Sequence, residues 1–462
     1  MLYKKLIEDN LSDKIILNYR SEHYSYRELN DRALALGYEW IKNGVKPGDR
    51  VIIDCRDKSD TMIALLACLA YGIVFIPIEA DNDNKEYIKE NSGAVLIYRG
   101  GGAQQLLPEK RQILPLETLG YIIYTSGSTG VPKGVVAPLS TIMFCIDAIN
   151  ARLKNDENDR ILSRLPLSFD YGLYQVFFSL RFRAELTLVD GDVLIAQVPM
   201  LCRQMKITAM PVVPSMLSVL YQMHLLKKEY FPDLRYICST GEVLSVELIK
   251  HVHELLPDVE IIPMYGLTEC KRVSVMPPGR WDKILNGSCG IPLDGVKVGF
   301  LGSNHNEGEL IVYGPNVMNG YWRGGSVDNE VFCIDESGQR FLRTGDYFRI
   351  DEDGYLYFLY RIKNIIKVGG YAVSPAEIEV RLKSIKGVIS VCVIGIPDEI
   401  TGESICACVH TQTEEVKEKI EEISRSLPAY KRISRIVLFD NGFPLNKNGK
   451  IDMGLLKGYV NG

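Results

Sequence analysis

Residues 121–135 read Tyr-Ile-Ile-Tyr-Thr-Ser-Gly-Ser-Thr-Gly-Val-Pro-Lys-Gly-Val. Tyr121 to Tyr124 are an apolar run of strand length. A loop of small hydroxyl residues and glycine follows, then Pro132, Lys133 and a second apolar run. Gly127, Gly130 and Gly134 let a backbone approach a bulky anion. Thr125, Ser126, Ser128 and Thr129 offer hydroxyl donors, and Lys133 adds a positive charge. That combination suits a polyphosphate. It is not a Walker A loop, where Ser or Thr follows the lysine at once, because Gly134 follows Lys133. A plain polar turn between two strands is the alternative. Three glycines, four hydroxyls and a lysine within ten residues exceed what such a turn needs.

With 462 residues the chain is too long for one core and implies two or three domains. Its composition, 46% hydrophobic and 24% charged, is that of a soluble globular enzyme. A net charge of −5 without a long basic block argues against nucleic acid as a partner. The eleven cysteines are scattered, with no Cys-x-x-Cys pair, and read as reduced, mostly buried thiols. Cys406 and Cys408 read as alternate faces of a strand. The six histidines show no metal-ligand spacing, and His251 and His253 read as solvated positions of a polar helix. Thr61 to Ile78 carries no charge over 18 residues, but Gly72 and Pro77 interrupt it. It reads as a buried helix to about Tyr71 and a buried strand Ile73 to Ile78, so no membrane span is expected. The N-terminus has no secretory apolar region, and a cytoplasmic protein is expected.

Apolar strands alternate with amphipathic helices, as in Arg50–Asp54, 58–71 and 73–78. That alternation predicts an α/β fold: layered α/β subdomains with mostly parallel sheets plus a β-structure region. Residues 79–120 read as less regular, with surface loops at Asp81-Asn-Asp-Asn-Lys and Gly100-Gly-Gly. A composition shift near residue 360 predicts a large domain over 1–361 and a small α+β domain over 362–462. The latter reads helix, strand, strand, helix, strand over 375–386, 388–396, 404–411, 414–427 and 432–439.

Pro263-Met-Tyr-Gly-Leu-Thr-Glu places a ring, a glycine, a hydroxyl and a carboxylate within five residues, after an apolar strand. Such a set can stack on a base, bind a phosphate and hold Mg²⁺, which favours one or two carboxylates plus substrate phosphate oxygens. A carboxylate such as Asp346, in Arg343-Thr-Gly-Asp, can accept from both hydroxyls of a diol.

The loop at 121–135 resembles the phosphate loop of the AMP-forming adenylating enzymes: acyl-CoA synthetases, adenylation domains of nonribosomal peptide synthetases, and luciferases. The other motifs stand in that family's order, from Tyr24-Ser-Tyr-Arg-Glu-Leu to Asn448-Gly-Lys-Ile-Asp. The resemblance implies a stand-alone adenylation domain whose small C-terminal domain moves. It places Thr125 to Gly130 and Lys133 on the ATP phosphates, and Met264, Tyr265 and Gly266 on adenine. Thr268 falls on the α-phosphate and Glu269 on Mg²⁺. Thr240, Gly241 and Glu242, in Ser239-Thr-Gly-Glu, form the other wall of the adenine slot. Asp346 takes the ribose, with Arg361 as its companion. Lys450 is the cation that bridges substrate carboxylate and phosphate while the acyl-adenylate forms. Lys363 takes the hinge position, and Gly369 and Gly370 the loop used in the thiol step. The family's usual glycine before the hinge-side arginine is Tyr360 here, a departure that stiffens the motion. Gly308-Glu-Leu-Ile-Val-Tyr-Gly with Gly320-Tyr-Trp matches a structural hairpin of the family and is given no chemistry.

The resemblance also places the acid pocket at Leu165-Pro-Leu-Ser-Phe-Asp-Tyr-Gly-Leu-Tyr, with Asp170, Tyr171, Tyr174, Arg272 and Val273 lining it. In amino-acid-activating members the matching aspartate binds the substrate ammonium. A buried carboxylate needs a partner, so an amino acid is the expected substrate. Two alternatives stand: Asp170 caps a helix starting near Tyr171, or it pairs with Arg272, which would remove the argument for an amine. The expected acceptor is the phosphopantetheine thiol of a carrier protein supplied in trans, because the chain stops after the final motif. An acyl- or aryl-CoA ligase using free CoA is the runner-up. Intact Lys133, Glu269, Asp346 and Lys450 argue against an inactive binding module, and no residue marks luciferase-like oxidation.

Overall fold

The computed structural model describes residues 2–106, 120–125, 131–191, 193–304, 306–323, 326–328, 330–445 and 451–461. Two large mixed sheets carry most of the first 330 residues. One has nine strands, of which Ile15–Tyr19, Glu185–Leu188, Arg160–Ser163, Ala209–Val212, Tyr236–Ser239 and Glu260–Tyr265 run parallel side by side. Short antiparallel strands close both edges. The other has eight strands, with Tyr121–Thr125, Val74–Ile78, Arg50–Asp54 and Leu96–Arg99 parallel at its centre. Strands such as Arg50–Asp54 and Val74–Ile78 are buried along their whole length. That is what a parallel strand covered on both faces requires, and why each reads as an unbroken apolar run. The α/β fold with mostly parallel sheets is therefore as expected.

The apolar stretch at 61–78 is a helix, Lys58–Tyr71, closed by Gly72 at φ +65, and the strand Val74–Ile78. Asp57 caps the helix by accepting from the Ser59 and Asp60 amides. Among the described residues, no helix is long and apolar enough to cross a membrane. Residues 85–105 are more regular than expected: a helix Lys85–Ser92, then a hairpin Leu96–Arg99 and Gly102–Gln105 turning at Gly100 and Gly101. His251 and His253 are half-buried rather than fully solvated. His251 stacks on Tyr221 and His253 packs at a tilt on Trp281, with ring centroids 4.7 Å and 3.8 Å apart.

The chain divides into two compact units. The second gathers Phe300–Leu310, Gly345–Asp351 and Tyr357–Gly462, so the compact units do not coincide with a cut at 361. In that unit the strands Val388–Asp398, Gly402–Thr411 and Ile433–Phe439 lie side by side. Val391, Val393, Ile405, Ala407 and Val409 face a core shared with helices Pro375–Lys383 and Val416–Ser426. Cys392, Ile394, Cys406 and Cys408 face the opposite way, against Leu456 and Val460 of the terminal helix Met453–Asn461. Cys406 and Cys408 thus share one face, correcting the expectation of alternate faces, because side chains two apart along a strand point the same way. All eleven cysteines are free thiols.

One close approach positions the acid segment. Helix Asp170–Phe182 starts where Gly172 passes under Pro166, and a Cβ there would lie 2.1 Å from the Pro166 carbonyl oxygen. The obstacle is backbone and cannot swing away. Gly172→Ala is expected to cost about 1–3 kcal/mol, read as a lower urea midpoint. Gly458→Ala, in the terminal helix with nothing within 4 Å, is expected to gain about 0.5–1 kcal/mol.

Candidate functional site

The parallel strands of the nine-stranded sheet end together, and ligands of open α/β sheets bind beyond such carboxyl ends. Ser239 stands beside Pro263 in register, so Thr240, Gly241 and Glu242 leave one strand next to Met264 and Tyr265 on its neighbour. Gly241, at φ +96, makes the turn that a residue with a side chain would resist. Thr240 is buried, whereas Glu242 is exposed.

After Tyr265 the chain folds back on itself. Tyr265 pairs with Ser274, and the Val273 amide donates to the Tyr265 carbonyl at 2.9 Å. Gly266 makes this possible: a Cβ there would lie 2.2 Å from the Lys271 carbonyl oxygen. Lys271 itself sits at φ +54, a conformation that costs a non-glycine residue about 1–2 kcal/mol. The fully buried Asn316 amide clamps the loop, donating to the carbonyls of Cys270 at 3.3 Å and Arg272 at 2.9 Å. Glu269 therefore leaves the turn in one direction while Lys271 and Arg272 are delivered into the interior.

Glu269 meets a residue that sequence reading gave no chemistry. The Tyr321 hydroxyl donates to Glu269 Oε1 at 2.7 Å, and the Met318 amide donates to the Glu269 carbonyl at 2.9 Å. Tyr321 lies on the strand Gly320–Arg323, which pairs with Lys133–Ala137, the strand that returns from the glycine-rich loop. Lys133 Nζ lies 4.9 Å from the Tyr321 ring centroid and 2.5 Å from Glu330 Oε2. Lys133, expected on the ATP phosphates, and Glu269, expected on Mg²⁺, thus converge on one tyrosine. Gly134 packs against the Tyr124 ring, where a Cβ would come within 3.0 Å. Thr125 Oγ donates to the Lys133 carbonyl at 3.4 Å, closing the base of the loop. Ser126, Gly127, Ser128, Thr129, Gly130 and Lys450 lie outside the described residues.

Two of the readings made of Asp170 are not met. Asp170 is the first residue of its helix, and no side chain caps that helix, so it is not a cap. Nor does it pair with Arg272. Its carboxylate meets Lys271, with Nζ 3.1 Å from Oδ2 and 2.9 Å from the Asp170 carbonyl oxygen. Both side chains are at least nine-tenths buried. The ammonium also stands 4.1 Å from the Tyr174 ring centroid, a favourable cation–π distance. Burial pulls the Lys271 pKa down to about 8, and the Asp170 charge works against that fall. Arg272 donates from Nη1 to the Thr240 hydroxyl at 2.5 Å and lies 5.4 Å from the Tyr171 ring centroid. Tyr171 donates to the Cys238 carbonyl at 2.8 Å, tying the acid segment to the neighbouring strand end, and Val273 is fully buried. Sequence reading missed Lys271. The one signal available was two adjacent basic residues directly after Glu269 and Cys270.

In the second unit, Arg361 Nε donates to Asp346 Oδ1 at 2.7 Å, the pairing expected of them. Tyr360, where the family's glycine was expected, stacks on Tyr347 with ring centroids 4.6 Å apart. Lys363 is exposed in a short 3-10 turn, Ile362–Asn364. Gly369 and Gly370, at φ +57 and +86, form the tip of a hairpin between Ile366–Val368 and Tyr371–Val373.

Removing one partner of a buried ion pair leaves an uncompensated charge, at a cost of about 3–5 kcal/mol. Lys271→Met is expected to lose about that much stability in urea unfolding. The double variant with Asp170→Asn is expected to recover most of it. Equal stability of wild type and Lys271→Met would contradict the pairing.

Models of the AMP-binding enzyme family match residues 7–111 and 98–322, and the AMP-binding enzyme C-terminal domain matches residues 377–450. The chain is 30% identical to a plipastatin synthase protein of Bacillus subtilis (strain 168), over 94% of this chain and 13% of that protein. It is 27% identical to bacitracin synthase 2 of Bacillus licheniformis, over 96% of this chain and 18% of that protein. It therefore spans a small part of the curated relatives it matches. Among solved structures, the o-succinylbenzoate CoA synthetase of Bacillus subtilis with its acyl-adenylate superposes with a TM-score of 0.83 at 22% identity, covering 99% of this chain and 97% of the other. ATP-bound MatB of Rhodopseudomonas palustris gives a TM-score of 0.84 at 22% identity, covering 99% and 98%. The fold, the order of the motifs and these matches agree: the chain belongs to the AMP-binding enzyme family, the AMP-forming adenylating enzymes.

Proposed function

We propose that the protein is an AMP-forming acid–thiol ligase that passes its acyl group to the phosphopantetheine thiol of a carrier protein. The observation that carries the first half is the convergence of Lys133 and Glu269 on Tyr321, beside the strand pair that ends at Thr240 and Tyr265. In the first step a carboxylate oxygen attacks the α-phosphorus of ATP. The bond from that phosphorus to the bridging oxygen breaks, and pyrophosphate leaves with the electron pair. In the second step a thiol sulfur attacks the acyl carbonyl, its proton goes to solvent, and AMP leaves. Little covalent work falls to the protein, so positioning and charge carry the rate.

Glu269 fits a magnesium site. Tyr321 orients one carboxylate oxygen through its hydroxyl, and the other is left for a cation. Among the described residues, no group of three or more His, Cys, Asp or Glu could hold a metal ion. Magnesium does not need such a cage, since substrate phosphate oxygens complete its shell. Bound there, it would supply charge neutralisation to the phosphates. Tyr265 and Thr240 to Glu242 would wall the adenine, Thr268 would meet the α-phosphate, and Asp346 with Arg361 would take the ribose. Lys450 would serve the first step, and Gly369 and Gly370 the second, after a turn about Lys363 of a mobile domain spanning 362–462.

The peptide synthetases among the relatives support a carrier protein as acceptor. Free CoA is the second reading, favoured by the basic pair Lys431-Arg432 where many peptide synthetase domains have an apolar one. The argument for a substrate amine has lost its basis, because Asp170 already has Lys271.

Two measurements test this reading. Lys450→Ala is expected to abolish acid-dependent ATP–pyrophosphate exchange while sparing thiol transfer from a supplied acyl-adenylate. Equal loss of both steps would refute its assignment to the first. Tyr321→Phe is expected to lower the exchange rate about tenfold, the worth of one charge-assisted hydrogen bond, and to raise the Mg²⁺ concentration for half-maximal rate. An unchanged Mg²⁺ requirement would remove Tyr321 from the site. Mass spectrometry of a holo-carrier protein and of CoA, each incubated with enzyme, ATP and acid, separates the two acceptors.

A further inference from the structure

The interior around the start of helix Asp170–Phe182 holds more positive charge than it neutralises. Asp170, Lys271 and Arg272 are 7%, 2% and 3% exposed, giving two cations and one anion in the interior. The groups whose charges act on Lys271 are Asp170, Arg272 and Cys145. Cys145 is no counter-ion, since burial pushes its thiol up to about 12. Burial likewise pushes Cys238 up to about 11 and Tyr171 well above its ordinary value, so neither carries charge near neutrality. Glu269, the next acid along the chain, turns to Tyr321 instead.

Lys271 has its carboxylate; among the described residues Arg272 has none. Among those residues its partners are the Thr240 hydroxyl and the Tyr171 ring, both neutral, and its buried Nε makes no hydrogen bond to any of them. A guanidinium cannot shed its proton to escape this cost. Native interiors do not leave such a group unmatched without a reason. The reacting carboxylate of the substrate does not supply the match, because in the proposed function it lies with Lys450 at the α-phosphate.

We propose that the acid activated here carries a second carboxylate, bound by Arg272 with Lys271 beside it, and that Lys271 stands where a substrate ammonium would otherwise meet Asp170. The inference rests on the reading of the protein as an acid-activating ligase. Arg272 and Lys271 are then the residues that set specificity. The fork of Arg272 suits a carboxylate, which can accept from Nε and a terminal nitrogen together. An acid lacking that group would leave the buried guanidinium unmatched and be rejected accordingly. Plain dicarboxylic acids and acidic amino acids share this chemistry.

The test is ATP–pyrophosphate exchange by the wild-type chain with succinate, glutarate, aspartate and glutamate. These are compared with butyrate, benzoate, alanine, leucine and lysine. A second carboxylate is expected to raise kcat/KM at least about 100-fold over its monoacid analogue. The plain diacids against aspartate and glutamate then tell which source the pocket takes. Arg272→Gln is expected to raise KM for the best diacid about 10- to 100-fold, with a much smaller change in KM for ATP, whose proposed adenine wall includes the Thr240 that Arg272 touches. Arg272→Lys is expected to recover part of the loss, which a merely structural role would not produce. If a variant fails to fold, the wild-type panel alone decides. Best exchange with a neutral or cationic amino acid, or with a monoacid, overturns this inference and leaves the ligase reading intact. No exchange with any acid overturns the ligase reading and this inference with it.

Discussion

The turn from Gly266 to Arg272 is the constraint on which the site depends. It can be this tight only because residue 266 has no side chain to strike the Lys271 carbonyl. The strain of Lys271 in a left-handed conformation is held by the Asn316 amide, which bonds the carbonyls on either side of that residue. Local strain of this kind persists where the surrounding structure over-determines it, and it clusters at functional sites. The result is a sorting of charge. A carboxylate leaves toward Tyr321, and two cations enter the interior beside Asp170 and Thr240.

That sorting separates two electrostatic environments on one strand end. Glu269 is partly exposed and bonded to a neutral hydroxyl. Asp170 lies in the interior, where its charge is matched by Lys271, 3.1 Å away. Asp170 reaches this place through backbone, not side-chain, accommodation: Gly172 lets the helix start against Pro166, and the Tyr171 hydroxyl fixes it to the Cys238 carbonyl.

Much of the fold is legible in the sequence because the signals are local. Buried parallel strands read as apolar runs at Arg50–Asp54, Val74–Ile78 and Tyr121–Thr125. The alternating strands and amphipathic helices of residues 375–439 fall within a few residues of their expected bounds. Asp346 and Arg361 pair as expected, since they flank one strand–turn–strand. Where sequence and structure part, the deciding contact is distant along the chain. Asp170 and Lys271 are 101 residues apart, and Glu269 and Tyr321 are 52 apart. Cys406 and Cys408 are the exception, for there strand periodicity alone contained the answer.

The sequence by itself determined the class of fold, the family and the order of the nucleotide motifs. Those follow from periodicity and from short runs of residue types whose chemistry is local. Only the tertiary structure decided which charge meets which. It gave Asp170 to Lys271, left the Arg272 Nε without a partner among the described residues, and turned Tyr321 from a strand residue into the contact that joins Glu269 and Lys133. Ion pairs act over a few ångströms in space and are indifferent to separation along the chain. No pattern along the chain can therefore assign them until the folded backbone has brought the side chains together.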